Sequence, residues 1–193
     1  MSKSYILCYQ LRVHLMGSNP EIWRRILVPA NADLQDLHWA LQGAFGWENA
    51  HLFNFSKGCG RHDRPFYPDW GYDFGAEPDY SNAPKLADVL PVGSTLVYTY
   101  DMGDNWKHEI VCEALMIKPP RIRLPACIDG ERNHAIEDVG GIWGYQEILE
   151  ILDNWDNPEY KEALSDLLDS FGKSILKYNA AAFEPKKVKF NKG

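Results

Sequence analysis

No two of the four cysteines, Cys8, Cys59, Cys112 and Cys127, form a Cys-x-x-Cys pair. Without such pairing the thiols read as reduced side chains and not as a disulfide framework. No run approaches the roughly 20 apolar residues that a membrane span needs. The opening Met-Ser-Lys-Ser-Tyr has no long apolar signal region. A cytoplasmic protein with no membrane partner is the expectation. Basic residues are also short, 20 against 27 acids, for a net charge of −7. Nucleic acids are bound largely by phosphate neutralisation, so this balance weighs against a general nucleic-acid binder. There is no phosphate-binding glycine loop, no dinucleotide fingerprint and no Ser-His-Asp order.

What is present supports a packed core. The 193 residues are 45% hydrophobic and 13% aromatic, with seven Trp and ten Tyr. That length suits one domain. Aromatics bring large buried areas, and their polar tips also suit pockets and interfaces.

Patterning gives the elements. Tyr5, Leu7, Tyr9, Leu11, Val13 and Leu15 alternate with polar positions, the period of a strand with one buried face. Gly17–Pro20 is a turn, and Ile22 to Val28 returns as a second strand of a hairpin. Asp33 caps a helix whose stripe is Leu34, Leu37, Leu41, Ala44 and Phe45, closed by Gly46. His51, Phe53 and Phe55 alternate as a third strand. Residues 59–84 interleave four prolines with Phe66, Tyr67, Trp70, Tyr72, Phe74 and Tyr80, which predicts a long self-packed loop with no regular element, lying over a pocket. Leu86–Leu90 is a helical turn. Thr95–Tyr100 and Trp106–Ile117 are strands flanking the turn Asp101-Met-Gly-Asp104. Cys127–Glu131 falls in a loop. A helix follows Gly140-Gly141, and another runs from the Asn157 cap and Pro158 to Gly172. The expected fold is therefore a single α+β domain, a mostly antiparallel or mixed sheet with about three packed helices. It spans residues 1–172. A tail over 173–193 holds six lysines and one acid, and is expected to be docked or partly flexible.

Several ordered motifs resemble the plasmid pRiA4b ORF-3-like family. They are Ile22-Trp-Arg-Arg25, Leu37-His38, Gly46-Trp47, His51-Leu52, Asp101-x-Gly-Asp-x-Trp-x-His-Glu109, Cys127-x-Asp-Gly-Glu131, Glu137-Asp-Val-Gly-Gly141 and the region around Phe183. The resemblance covers nearly the whole chain and implies a compact α+β domain with no established activity. Some relatives carry a transposon-resolvase label, which associates the family with mobile elements. A serine recombinase needs a serine nucleophile among arginines, and Ser4 and Ser18 lack those surroundings. Family members often have Cys-Pro-Pro-Glu-Asp where this chain has His134-Ala-Ile-Glu-Asp138.

The chemistry-bearing stretch is Asp101 to Glu109. Asp101, Asp104, Trp106, His108 and Glu109 lie in it, and the resemblance sets Asp129, Glu131 and Asp138 beside it. If the segments converge, carboxylates and an imidazole suit a divalent cation as cofactor and a metal-assisted hydrolase. The plainer reading is a tight turn, with both aspartates accepting backbone N–H groups and Trp106 packed; Asp-Gly turns between strands are common. Cys127 and His134 are a second metal candidate, with His108 or Cys112 as further ligands, against a reading of Cys127 as a small buried residue. A third group is Trp23-Arg24-Arg25, His38, Trp47 and His51. Adjacent arginines on a strand face opposite ways, so one of the two at most serves an anionic pocket. The function expected first is a binding or interaction module for a protein, peptide or small ligand. The metal-assisted hydrolase and a nucleic-acid accessory protein are the alternatives.

Overall fold

The computed structural model describes residues 5–58, 60, 63–69 and 78–190. Its centre is a seven-stranded sheet in which every neighbouring pair is antiparallel. The strands are β1 (Leu7–Leu15), β2 (Trp23–Pro29), β3 (Phe53–Ser56), β4 (Pro65–Tyr67), β5 (Thr95–Tyr100), β6 (Trp106–Ile117) and β7 (Ala126–Glu131). Their order across the sheet is β4-β3-β5-β6-β1-β2-β7.

One face of the sheet is apolar. Tyr9, Leu11, Val13 and Leu15 of β1, Ile26 and Val28 of β2, and Tyr98, Tyr100, Trp106 and Ile110 of β5 and β6 meet α1 (Leu34–Phe45) in the main core. The opposite face is a charged lattice. Arg25 grips Glu113 through Nε and Nη2, at 2.7 and 2.9 Å, and reaches Asp129 at 3.0 Å through Nη1. Gln10 adds a bond to Glu113 at 2.8 Å. This alternation is the pattern of an antiparallel sheet with one wet face.

Helix α1 forms where its end signals say it should. The Asp33 side chain accepts from Asp36 N at 3.0 Å, while the Asp36 side chain accepts from Asp33 N, a capping box. Gly46 leaves the helix at φ 72, the left-handed conformation that glycine adopts without strain. Leu34, Leu37 and Leu41 are fully buried on the sheet side. Truncation of any one to alanine costs about 2–5 kcal/mol.

The remaining helices are α2 (Leu86–Val89), α3 (Gly141–Asp153) and α4 (Lys161–Phe171). Asn157 and Pro158 open a short 3-10 turn, Pro158–Tyr160, ahead of α4 and not α4 itself. Ile148 and Ile151 of α3 pack with Leu167 of α4 and Ile175 in a small second core. No helix among the described residues is long and apolar enough to cross a membrane.

Two segments expected as irregular are strands. Pro65–Tyr67 pairs with β3, with Phe55 opposite Tyr67, so the described part of the 59–84 stretch contains a short regular element. Trp70, Tyr72 and Phe74 of that stretch, and Cys59, lie outside the described residues. Ala126–Glu131 pairs with β2 as the opposite edge of the sheet. Both are edge strands, whose extended form comes from the partner strand and not from their own alternation. The lysine-rich end docks on the body. Asn133 N donates to Ala180 O at 2.9 Å, Phe183 lies over Gly130 and Arg24, and Lys189 and Phe190 lie against Gly43 of α1.

Replacing Asp33 by alanine removes a capping acceptor and the 2.9 Å Lys85 pair. The expected loss is about 1–2 kcal/mol, read as a lower urea midpoint at unchanged m-value. An unaltered midpoint would mean that the box contributes nothing.

Candidate functional site

Strands β5 and β6 meet at the turn 101–105, and that turn builds one wall of a cleft. Asp101 takes φ 55, so its carboxylate folds back over the turn and Oδ1 accepts from Gly103 N at 2.8 Å. Asp104 points the other way. Its Oδ2 accepts from Val139 N at 3.1 Å and Gly140 N at 3.2 Å. Gly141 passes so close to Asp104 that a Cβ there would stand 2.2 Å from Asp104 O, which only glycine permits. The turn and the segment 137–141 are thus clamped together.

The clamp delivers three carboxylates to one imidazole. His51 precedes β3, and its Nε2 lies 3.0 Å from Asp138 Oδ1, 3.8 Å from Asp101 Oδ2 and 3.8 Å from Glu137 Oε2. Although Nε2 is buried, none of these contacts has hydrogen-bonding alignment. No lysine or arginine among the described residues pairs with Asp101, Glu137 or Asp138. Glu137 is held by Tyr100 OH at 3.0 Å and Glu48 N at 2.6 Å. Burial first, then the Glu137 charge, pushes the Tyr100 phenol well above its usual value. Among the described residues the one group of three ligand-type side chains with donor atoms within 4.8 Å of one another is His51, Asp101 and Asp138.

A cleft of about 570 Å³ opens beside this cluster, lined by His51 and Asp101 together with Trp39, Phe53, Tyr80 and Met102. His38 forms its floor. The imidazole stacks on Phe53 at 3.7 Å, and its Nδ1 meets Tyr98 OH and its Nε2 meets Asn49 Oδ1, both at 2.9 Å. Asn49 Oδ1 can only accept, so the neutral His38 carries its proton on Nε2 and Tyr98 OH donates to Nδ1, while Gln42 donates to the same phenol at 2.8 Å.

The sequence-derived residues divide accordingly. Asp101 and Asp138 meet at His51, and Asp104 stands behind them as the clamp. His108 is elsewhere, fully buried in the main core, where Nε2 accepts from Trp47 Nε1 at 3.2 Å. Trp106 is buried on the same face of β6, while Glu109 faces the wet side 3.7 Å from His14. Asp129 belongs to the Arg25 lattice and Glu131 to the end of β7, opposite Trp23. Of the loop 127–138 expected to fold against the β5–β6 hairpin, the first part, Cys127–Glu131, instead extends the sheet at β2, while Asp138 at its end does meet His51 beside the turn. Cys127 donates to Asp129 O at 3.3 Å, and burial raises its thiol to about 11. His134 bonds Ala135 O at 2.9 Å and joins no metal-ligand group with Cys127 among the described residues. The sequence sets His51 in the group with His38 and Trp47, apart from the aspartates, and carries Glu137 as part of the motif Glu137-Asp-Val-Gly-Gly141. The signal for them was the adjacency of Glu137 to Asp138 and the His51-Leu52 motif entering β3.

These elements define an α+β domain with an acidic, aromatic-walled cleft at one end of its sheet. The chain belongs to the plasmid pRiA4b ORF-3-like protein family, whose model matches residues 7–187. It is 34% identical over 161 residues to an uncharacterized protein, y4hQ, of Sinorhizobium fredii, covering 80% of this chain and 78% of that one. The crystal structure of a protein of unknown function, MM3350 from Methanosarcina mazei Go1, is similar at TM-score 0.76 and 31% identity. That match covers 97% of this chain and all of the other.

Two buried histidines set an acid limit on stability. Burial lowers His38 to about 4 and His108 to about 3, against about 6.5 in an unfolded chain. Both are neutral in the fold at pH 7. Below pH 6.5 the unfolded chain gains protons that the folded one refuses, so stability is complete above that pH and lost as pH falls toward 4. Each histidine contributes a slope of up to about 1.4 kcal/mol per pH unit. Urea unfolding at successive pH values between 7 and 4.5 should show it; a flat profile would place both imidazoles in contact with water.

Proposed function

We propose that this protein is a binding domain whose ligand is a divalent metal ion, held by His51, Asp101 and Asp138 at the rim of the cleft. The observation that carries the proposal is the meeting of three carboxylates at a buried, unaligned imidazole nitrogen with no lysine or arginine paired to them among the described residues. An ammonium or guanidinium group could pair with the carboxylates and donate to the imidazole lone pair, but none does so among the described residues. A metal ion uses both. Donors at about 2.0–2.2 Å from one ion stand up to about 4.4 Å apart across it, close to the spacing present here. One nitrogen and two carboxylates favour Mn²⁺ or Zn²⁺ over Ca²⁺, which prefers an all-oxygen cage. Three protein ligands leave coordination positions open, and because His51 and Asp101 also line the aromatic cleft, a small molecule or peptide group there can complete the shell.

Binding is favoured over hydrolysis because the neighbouring acid–base groups are already engaged. Glu137 accepts from Tyr100 and Glu48, Asp104 from Val139 and Gly140, and both nitrogens of His38 have partners. Among the described residues, each acid–base group named here beside the metal ligands is thus held by its own hydrogen bonds, which favours a fixed binding site over a proton-transfer site.

Calorimetric titration of tag-free protein with Mn²⁺ and Zn²⁺ tests the reading. One ion should bind per chain. Asp138 is 73% exposed, so Asp138→Asn leaves the fold intact and should weaken binding by about tenfold or more. Equal affinity in Asp138→Asn and His51→Gln would remove the site.

A further inference from the structure

A second cavity lies on the other side of Trp39 and Asn49, which line both. Its floor is a cation. Strand β2 turns Arg25 to the charged face and Arg24 inward, and Arg24 is the one buried lysine or arginine among the described residues, at 1% exposure. The guanidinium lies under the Phe183 ring at 3.8 Å and near Phe45 at 5.2 Å. Nε donates to Ala44 O at 2.9 Å, and Nη1 donates to Trp23 O and Glu131 O, both at 2.8 Å. No carboxylate among the described residues pairs with it.

This arrangement is half satisfied. The three carbonyls, one of them in the last turn of α1, place partial negative charge on Nε and Nη1. Nη2 has no hydrogen bond among the described residues. Burial lowers the guanidinium to about 10, which still leaves it charged at neutral pH. A buried charge without an ionic partner is costly, and an arriving anion recovers part of that cost.

The space above Arg24 measures about 620 Å³, within the range of small-molecule sites. Trp39, Phe45 and Trp47 wall it on the α1 side, and Phe183 and Val188 on the side of the docked C-terminal segment. With Nε and Nη1 committed, neither fork of the guanidinium is free to clamp two oxygens. Nη2 alone can meet one. Glu48 and Glu184 stand at the rim together with Lys187, which pairs with Glu184 at 2.7 Å, and Lys189, so the rim charges balance and the one free nitrogen beside aromatic walls suits a carboxylate on a ring better than a fully hydrated inorganic anion. We propose that this cavity binds a small aromatic carboxylate, with one carboxylate oxygen on Nη2 of Arg24 and the ring among the aromatic walls. The site is independent of the metal cluster: it shares none of His51, Asp101 or Asp138.

Phenylacetate, its neutral isostere phenylacetamide and inorganic phosphate are the probes, followed by NMR of the Trp39 and Trp47 indole N–H signals at low salt. Phenylacetate should shift both signals and bind about tenfold or more tightly than phenylacetamide. Phosphate should neither shift them nor compete. Val188→Trp fills the cavity without touching Arg24, and should abolish phenylacetate binding at an unchanged melting temperature. Arg24→Gln should abolish the preference for the acid over the amide. Equal binding of acid and amide, effective competition by phosphate, silence of all probes at about 10 mM, or undiminished binding in a folded Val188→Trp variant would each overturn the proposal. Retained Mn²⁺ affinity in Val188→Trp keeps this result separate from that of the metal site.

Discussion

The Asp104 carboxylate is the joint on which the cleft depends. Its two bonds to Val139 N and Gly140 N tie the β5–β6 turn to a segment 35 residues further along the chain. Without that tie the turn 101–105 would be an ordinary connection, and Glu137 and Asp138 would belong to a surface loop. With it, Asp138 closes on His51, Glu137 reaches Tyr100 and Glu48, and α3 starts at a fixed place. Charge-assisted bonds from backbone amides to a carboxylate are among the stronger hydrogen bonds in proteins. The close approach of Gly141 adds a steric condition to the electrostatic one.

Much of this was legible in the sequence where local rules act alone. The alternation of Tyr9 to Leu15, the Asp33–Asp36 box and the Gly46 exit each specify a local conformation, and each element stands within a residue or two of its expected bounds. Strands β4 and β7 were not legible, because Pro65 and Asp129-Gly130 are poor strand residues whose conformation is imposed by the neighbouring edge. The candidate site was half legible. Asp101, Asp104 and Asp138 carried the signal of acidic residues around glycine turns. His108 carried the same signal and is a core histidine, because strand alternation placed it inward beside Trp47. Convergence on His51 is a long-range result, and nothing in a local window encodes it.

The two arginines of β2 show how much one pleat decides. Arg25, facing water, is matched by Glu113 and Asp129 and takes part in a lattice that spans four strands. Arg24, one residue earlier, is surrounded by rings and carbonyls. The same side chain stabilises the sheet by pairing in one case and creates an unbalanced charge in the other. A one-residue slip of β2 would exchange them and carry Ile26 and Val28 from the core to the charged face, so burial and charge specify the same strand register.

Phe183 covering Arg24 also bears on the order in which the molecule is made. The guanidinium of Arg24 is made well before the ring of Phe183 that covers it. Domains generally fold as units, and β1 and β2 need β6 and β7 to complete the sheet around them, so the side chain stays in contact with water until the later segments are made. Desolvation of that charge then becomes one of the final events, deferred until most of the core is in place to carry its cost.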